Sequence, residues 1–125
     1  MAKFGHEKMV VWGNIERMNF LVQKEIIKKI PKNSFYLRDQ IDRSCSSVGA
    51  NFIEGYYSGS IKEYLRFLHY SRRSLAELQN WVKQCYLKEC ISQSICERFN
   101  DISIKTFYLF NRLIYSLKNK CRPKP

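Results

Sequence analysis

Two histidines, His6 and His69, and five cysteines, Cys45, Cys85, Cys90, Cys96 and Cys121, are the residues of this 125-residue chain best suited to hold a metal or attack a substrate. Their spacing argues against both. Cys85, Cys90 and Cys96 stand five and six residues apart, whereas zinc ligands come in pairs separated by about two to four residues. No Glu-x-x-His pair of the di-iron kind occurs, and no Cys or Ser has both a histidine and an orienting acid at hand. Gly55 and Gly59 lack the following Lys-Ser/Thr of a phosphate-cradling loop. The expectation is no catalytic residue, no metal and no cofactor. An odd number of cysteines without a Cys-x-x-Cys pair reads as free thiols in a reducing cytosol. With no apolar stretch suited to a signal peptide or a membrane span, the expected location is cytoplasmic, with no membrane partner.

The basic residues are more informative. Lys and Arg number 22 against 11 Asp and Glu, for a net charge of +11 and a pI near 9.6. The excess is +4 through Asn33, +3 from Ser60 to Cys90 and +5 beyond, while Ser34–Gly59 holds two basic and three acidic residues. At helical spacing Lys62, Arg66, His69 and Arg73 share one face, bordered by Tyr70. Arg98, Lys105 and Arg112 recur every seven residues, and Arg17, Lys24 and Lys28 lie opposite an apolar stripe. Parallel basic ridges of this kind would track a phosphate backbone, with arginine and tyrosine stacking on unpaired bases. The competing reading is that exposed helix faces are simply charged. The candidate nucleic-acid-binding residues are Arg17, Lys24, Lys28, Lys62, Arg66, Arg73, Lys105 and Arg112, with RNA the favoured ligand.

Only helices can position these ridges. There are 5 Gly and 3 Pro, too few turn signals for a sheet-rich fold of this length. Val11, Ile15, Met18, Val22 and Ile26 mark a first helix over about Glu7–Lys29, stopped by Pro31. Leu37, Ile41, Cys45, Val48 and Phe52 mark a second over Phe35–Glu54. Its middle is unusually small, which would admit a close neighbour; Ser47 and Ala50 suggest that a second subunit packs there. A third helix runs from Ser60 to about Glu89 on Ile61, Leu65, Leu68, Leu75, Leu78, Val82 and Tyr86, opened by a Ser60–Glu63 capping box. A fourth starts at Ser92 or Ser94, the latter paired with Glu97 as a second capping box. Its face is Ile95, Phe99, Ile102, Leu109, Leu113 and Leu117, widened by Phe107, Phe110 and Ile114. Short connections predict an all-α, antiparallel up-down-up-down four-helix bundle as one domain over residues 1–119, with a basic tail over 120–125.

One acid is oddly placed. Glu54 falls at the end of the second helix, where the dipole disfavours negative charge. Gly55 is read as the left-handed residue that closes that helix, which would bring Glu54 to the free amides at the start of the third. Asn51, Glu54, Gly55 and Ser60 are therefore expected to form a structural corner.

The pattern from Val10 to Gln79 resembles the small helical-bundle proteins encoded in intervening sequences of bacterial 23S rRNA genes. The matching residues are Val10–Trp12, the IDRSCSSVGANFIEGY run at Ile41–Tyr56, and SIKEYLRFLHYSRRSLAEL at Ser60–Leu78. The LxxCIS and NRLIYSL stretches that follow fit as well. The same fold group is similar to the accessory variability protein of diversity-generating retroelements. The resemblance implies an up-down bundle, homo-oligomers (pentamers in related proteins), no enzyme activity, and association with nucleic acid and a reverse transcriptase. Lys32–Phe35 departs from the family in lacking an acid after the proline, and Phe52 replaces a smaller aliphatic. Two functions stay open: a nucleic-acid-binding accessory protein, and a structural protein–protein interaction module whose charge only keeps it soluble.

Overall fold

Pro31 interrupts the helical chain and Gly59, at φ 76°, turns it; the capping serines 60 and 92 restart it. The computed structural model describes residues 4–121, and among these every regular element is helical. A short 3₁₀ turn at Gly5–Lys8 precedes α1 (Val10–Leu21), which continues into a π turn (Val22–Ile26) and a 3₁₀ turn (Ile27–Lys29). Then follow α2 (Phe35–Tyr56), α3 (Ile61–Leu87) and α4 (Gln93–Lys120).

Side-chain pairs fix the topology. Between α1 and α2, Asn19 accepts from Cys45 while Trp12 stacks on Phe52. Between α2 and α3, Tyr36 meets Trp81, Ser47 meets Ser74, and the Val48 carbonyl accepts from Ser71. Between α3 and α4, Arg72 meets Asn111 and Gln79 meets Ser103. In each case one partner advances along its helix as the other retreats, so chain neighbours run antiparallel. α4 also packs on α1 and closes the ring.

The buried stripe of α1 is the expected one: Val11, Ile15, Met18, Val22 and Ile26 are all buried. The continuous helix from Glu7 to Lys29 is corrected. Met9 is extended (φ −77°, ψ 136°), and the π turn adds a residue to the helix, with Leu21 and Val22 both in the core. α2 reaches Tyr56, two residues beyond the expected end at Glu54. The face of α4 is rotated. Its buried residues are Phe99, Ser103, Thr106, Phe110, Ile114 and Leu117, while Ile102, Leu109 and Leu113 are half-buried at its border. Ser92, not Ser94, caps α4 by accepting from the Ile95 amide at 3.2 Å, and Glu97 takes the Gln93 side chain instead. α4 extends through Lys120, one residue past the expected domain limit; of the basic tail, residues 122–125 lie outside the described residues.

α2 and α3 are the most intimate pair, and small residues are the cause. Ser44, Ser47, Gly55, Ser71 and Ser74 line the contact, so the small stretch of α2 serves its own chain. Ser47 meets Ser74 of its own chain at 2.8 Å, whereas Ala50 is exposed. Phe52, fully buried, centres an aromatic cluster with Trp12, Tyr56, Tyr64 and Phe110. A smaller aliphatic there would leave a void among four rings.

Candidate nucleic-acid interface

The antiparallel register of α3 and α4 sets two acid-free stretches side by side. No Asp or Glu occurs from Tyr64 to Ala76, and none from Ile102 to Lys120. Arg72 joins them, its guanidinium donating to the side-chain oxygen of Asn111 at 2.7 Å. His69 and Arg72 on α3 thus face Asn111 and Lys118 on α4, with Arg66 and Arg73 exposed on the outer side of the one helix and Arg112 on that of the other. Each stretch was visible in the sequence; their adjacency comes only from the fold, and Arg72 and Lys118 were not among the expected residues.

Tyrosines are interleaved with these cations. The Arg66 guanidinium lies 4.8 Å from the centre of the Phe67 ring and 5.6 Å from that of Tyr70, and Arg73 lies 5.8 Å from Tyr70 on the other side. Arg112 stands 5.9 Å from the Tyr108 ring. Cations held over aromatic faces are already oriented, and the same faces can stack on bases. Arg66 is not free of acids: Glu63 pairs with it at 2.7 Å, which raises its pKa further. This pairing also undoes half of the expected capping box, since Glu63 gives its amide to Ser60 while its carboxylate turns to Arg66.

His69 senses the local field. Its pKa is lowered, first by burial and then by the charges of Arg72, Lys118 and Arg73. Three cations acting on one imidazole from both helices mark a region of positive potential.

The eight expected basic residues do not form one ridge. Lys62, Arg66 and Arg73 lie along the exposed side of α3, and Arg112 lies on the outer face of α4. Arg17 and Lys105 share a cleft of about 190 Å³ between α1 and α4 with Asn14, Ile102 and Asp101, so an acid partly offsets them. Arg17 also donates to the Asn14 side chain. Lys24 and Lys28 are exposed on the π and 3₁₀ turns, where the adjacent Gln23 and Ile27 border Asp39 and Asp42 of α2. The concentrated field is therefore that of α3 and α4, and the α1 lysines stand apart from it.

The corner at the end of α2 is built differently from the expectation. Gly55 is helical and buried, and the left-handed residue is Gly59. Glu54 is exposed, and its carboxylate has no hydrogen bond or ion pair among the described residues. Asn51 does not support it. The Asn51 amide donates to the Ser47 carbonyl and hydroxyl, both at 2.9 Å, bracing the Ser47–Ser74 contact instead. What holds the corner is the Gly55 backbone against α3, the Ser58 hydroxyl donating to the Gly55 carbonyl at 2.7 Å, and the Ser60 cap.

Two of the thiols, Cys45 and Cys85, are buried. Burial pushes Cys45 and Cys85 up to about 12, so both are protonated at neutral pH. Cys85 and Cys90 meet at the α3–α4 turn. Among the described residues no group of three His, Cys, Asp or Glu side chains is placed to hold a metal, and no helix is long and apolar enough to cross a membrane.

Comparison with known proteins agrees with this architecture. The sequence model of a family described as 23S rRNA-intervening sequence protein matches residues 7–112. A solved structure, that of a protein of unknown function from the S23 ribosomal protein family of Bacteroides thetaiotaomicron, superposes with a TM-score of 0.63 at 23% identity, covering 83% of this chain and 90% of the other. At that identity the likeness speaks for the fold alone. No curated protein matches the chain.

Proposed function

Because the chain belongs to the 23S rRNA-intervening sequence protein family, we propose that it is a non-enzymatic bundle that binds nucleic acid, RNA in preference, across the exposed surface of α3 and α4. The carrying observation is the pair of acid-free stretches in register, Tyr64–Ala76 beside Ile102–Lys120. A polyanion laid there meets arginines of both helices, and the one carboxylate at its margin, Glu63, is paired with Arg66. Each phosphate contact releases condensed counterions, so affinity falls steeply with salt. Tyr70 and Tyr108, each beside an arginine, supply stacking surfaces for unpaired bases. In the finer form of this reading the protein is an accessory subunit of a retroelement reverse transcriptase, assembled as a homo-oligomer that is pentameric as in related proteins.

A second reading, a protein–protein interaction module with no nucleic-acid role, draws on the same helix. Ile104, Tyr108 and Tyr115 of α4 are 63%, 56% and 66% exposed, and large apolar groups left in solvent suit a protein contact.

Fluorescence anisotropy with a labelled RNA at several salt concentrations separates the two. Charge reversal of Arg66, Arg73 and Arg112 together should abolish binding near physiological salt and flatten the salt slope by about 0.7–0.9 per lost phosphate contact. Unchanged affinity in a variant with the parent circular dichroism spectrum would overturn the proposal in favour of the interaction module.

A further inference from the structure

At the end of the bundle where α2 begins and α3 ends lies a cleft of about 400 Å³, within the size range of small-molecule sites, about 300–1,000 Å³. Its α2 wall carries Phe35 and Tyr36, which are 74% and 68% exposed. Its α3 wall carries Asn80, Trp81, Gln84 and Lys88. We propose that this cleft binds one unpaired nucleotide of a single-stranded RNA. The inference rests on the nucleic-acid reading above and deepens it by adding a site that tells unpaired strands from duplex.

The chemistry of the walls carries this. Tyr36 and Trp81 stand 5.7 Å apart with their planes at 85°. In this T-shaped contact the edge of one ring abuts the face of the other; a planar guest stacked on the first meets the second edge-on, so the two form a corner for a single base rather than a flat platform. Trp81 is itself steadied by its indole N–H, which donates to Glu77 at 3.4 Å. Asn80, Gln84 and Lys88 recur every four residues and so form one line along α3. Neither carboxamide has a side-chain hydrogen bond within the chain among the described residues. Each offers a donor and an acceptor in one plane, the complement of the adjacent donor and acceptor that an unpaired base presents, such as the amino group and ring nitrogen of adenine. Lys88, one turn further, carries the positive charge for the attached phosphate. A duplex cannot enter such a corner, because its bases are paired and stacked.

The alternative occupants are a second copy of the chain seated on the exposed rings, and nothing. The test uses the full-length protein, an adenine hexaribonucleotide and an RNA duplex of the same length. The parent should bind the single strand roughly tenfold more tightly than the duplex, with quenching of Trp81 fluorescence, since one base–aromatic stack is worth about that much. Tyr36→Ala and the pair Asn80→Ala with Gln84→Ala should each remove this preference while duplex affinity and its salt slope stay unchanged. Tyr36→Phe keeps the ring and should keep the preference, which guards against a folding defect. If both RNAs bind and the cleft variants discriminate as the parent does, the cleft proposal alone is overturned. If neither RNA binds, the basic-face reading falls and this inference with it. A change in sedimentation mass in Tyr36→Ala would assign the cleft to a subunit contact and overturn the proposal.

Discussion

The Nδ1 of His69 accepts from the Arg72 guanidinium 3.0 Å away. Arginine can only donate, so this nitrogen carries no proton, and the ring is held neutral with its hydrogen on Nε2. The same guanidinium reaches Asn111, so one side chain both fixes the α3–α4 register and discharges the imidazole beside it.

The consequence is a pH dependence of stability. Burial and the charges of Arg72, Lys118 and Arg73 lower the pKa of His69 from 6.5. In the unfolded chain His69 takes up its proton near pH 6.5, and in the folded chain only at lower pH. The unfolded state binds more protons between the two values, so stability rises with pH across that window. The contribution is intact above pH 6.5 and is lost as pH falls through it towards the folded value. Thermal unfolding from pH 7.5 to 5 should show Tm falling in the parent, and less steeply in His69→Gln. A bound polyanion screens the three cations and should raise the His69 pKa, which an NMR titration with and without RNA would read directly.

The turn between α3 and α4 holds a residue in a costly conformation. Glu89 has φ 62°, the one non-glycine residue with positive φ among those described. The Cys90 amide bonds to the Cys85 carbonyl and the Glu89 amide to that of Tyr86, both at 2.9 Å. This is the helix-closing motif in which glycine usually takes the left-handed place. Glu89→Gly should therefore stabilise the protein by about 1 kcal/mol, a rise of a few degrees in Tm. Glu89→Ala keeps the Cβ and should give no such gain.

Much of this fold is legible in the sequence, because its stops are chemical. Pro31 and Gly59 end helices, Ser60 and Ser92 begin them, and the apolar stripes of α1 and α2 are uninterrupted. The rotation of α4 was hidden by its buried hydroxyls. Thr106 donates to the Ile102 carbonyl at 2.7 Å and Ser103 to that of Asn100 at 3.2 Å. Bonded to their own helix, these residues enter the core at little cost, yet in a sequence they read as surface. The break at Met9 and the π turn at Val22–Ile26 carry no local signal, since every residue of the latter is compatible with an ordinary helix. The candidate interface was legible as charge, residue by residue. The joining of α3 to α4 through Arg72 and Asn111 requires tertiary register, which no single helix encodes.

Glu54 now carries the opposite expectation from a structural brace. It is exposed, unpaired among the described residues, and placed in the last turn of α2, where the helix dipole disfavours it. Glu54→Ala should change stability by no more than about 0.5 kcal/mol in chemical denaturation. A loss above about 1 kcal/mol would mean that the carboxylate is bound to a group of the same chain. Unchanged stability with lost assembly or RNA binding would place Glu54 at an interface.

The two glycines of α2 make the sharpest contrast, because both are helical and only one is indispensable. A Cβ on Gly49 would sit 3.5 Å from Ile15 Cγ2 and 3.5 Å from Trp12 Cζ3, ordinary contact distances. A Cβ on Gly55 would sit 2.9 Å from Phe67 Cβ, 3.1 Å from Tyr64 Cδ1 and 3.2 Å from the Tyr64 carbonyl oxygen. The first and last of these atoms belong to or adjoin the α3 backbone, which cannot yield without moving the helix. Tyr64 is also tightly placed, its hydroxyl buried without a partner and its pKa raised to about 12, first by burial. Alanine is favoured over glycine in a helix by about 0.5–1 kcal/mol. Gly49→Ala should therefore be neutral or stabilising by up to that amount. Gly55→Ala faces overpacking worth about 1–3 kcal/mol, which outweighs the propensity gain, so it should lower stability and loosen the α2–α3 corner. Urea unfolding of the two variants side by side measures the difference. Equal stabilities would mean that the corner has room that the Gly55 contacts deny.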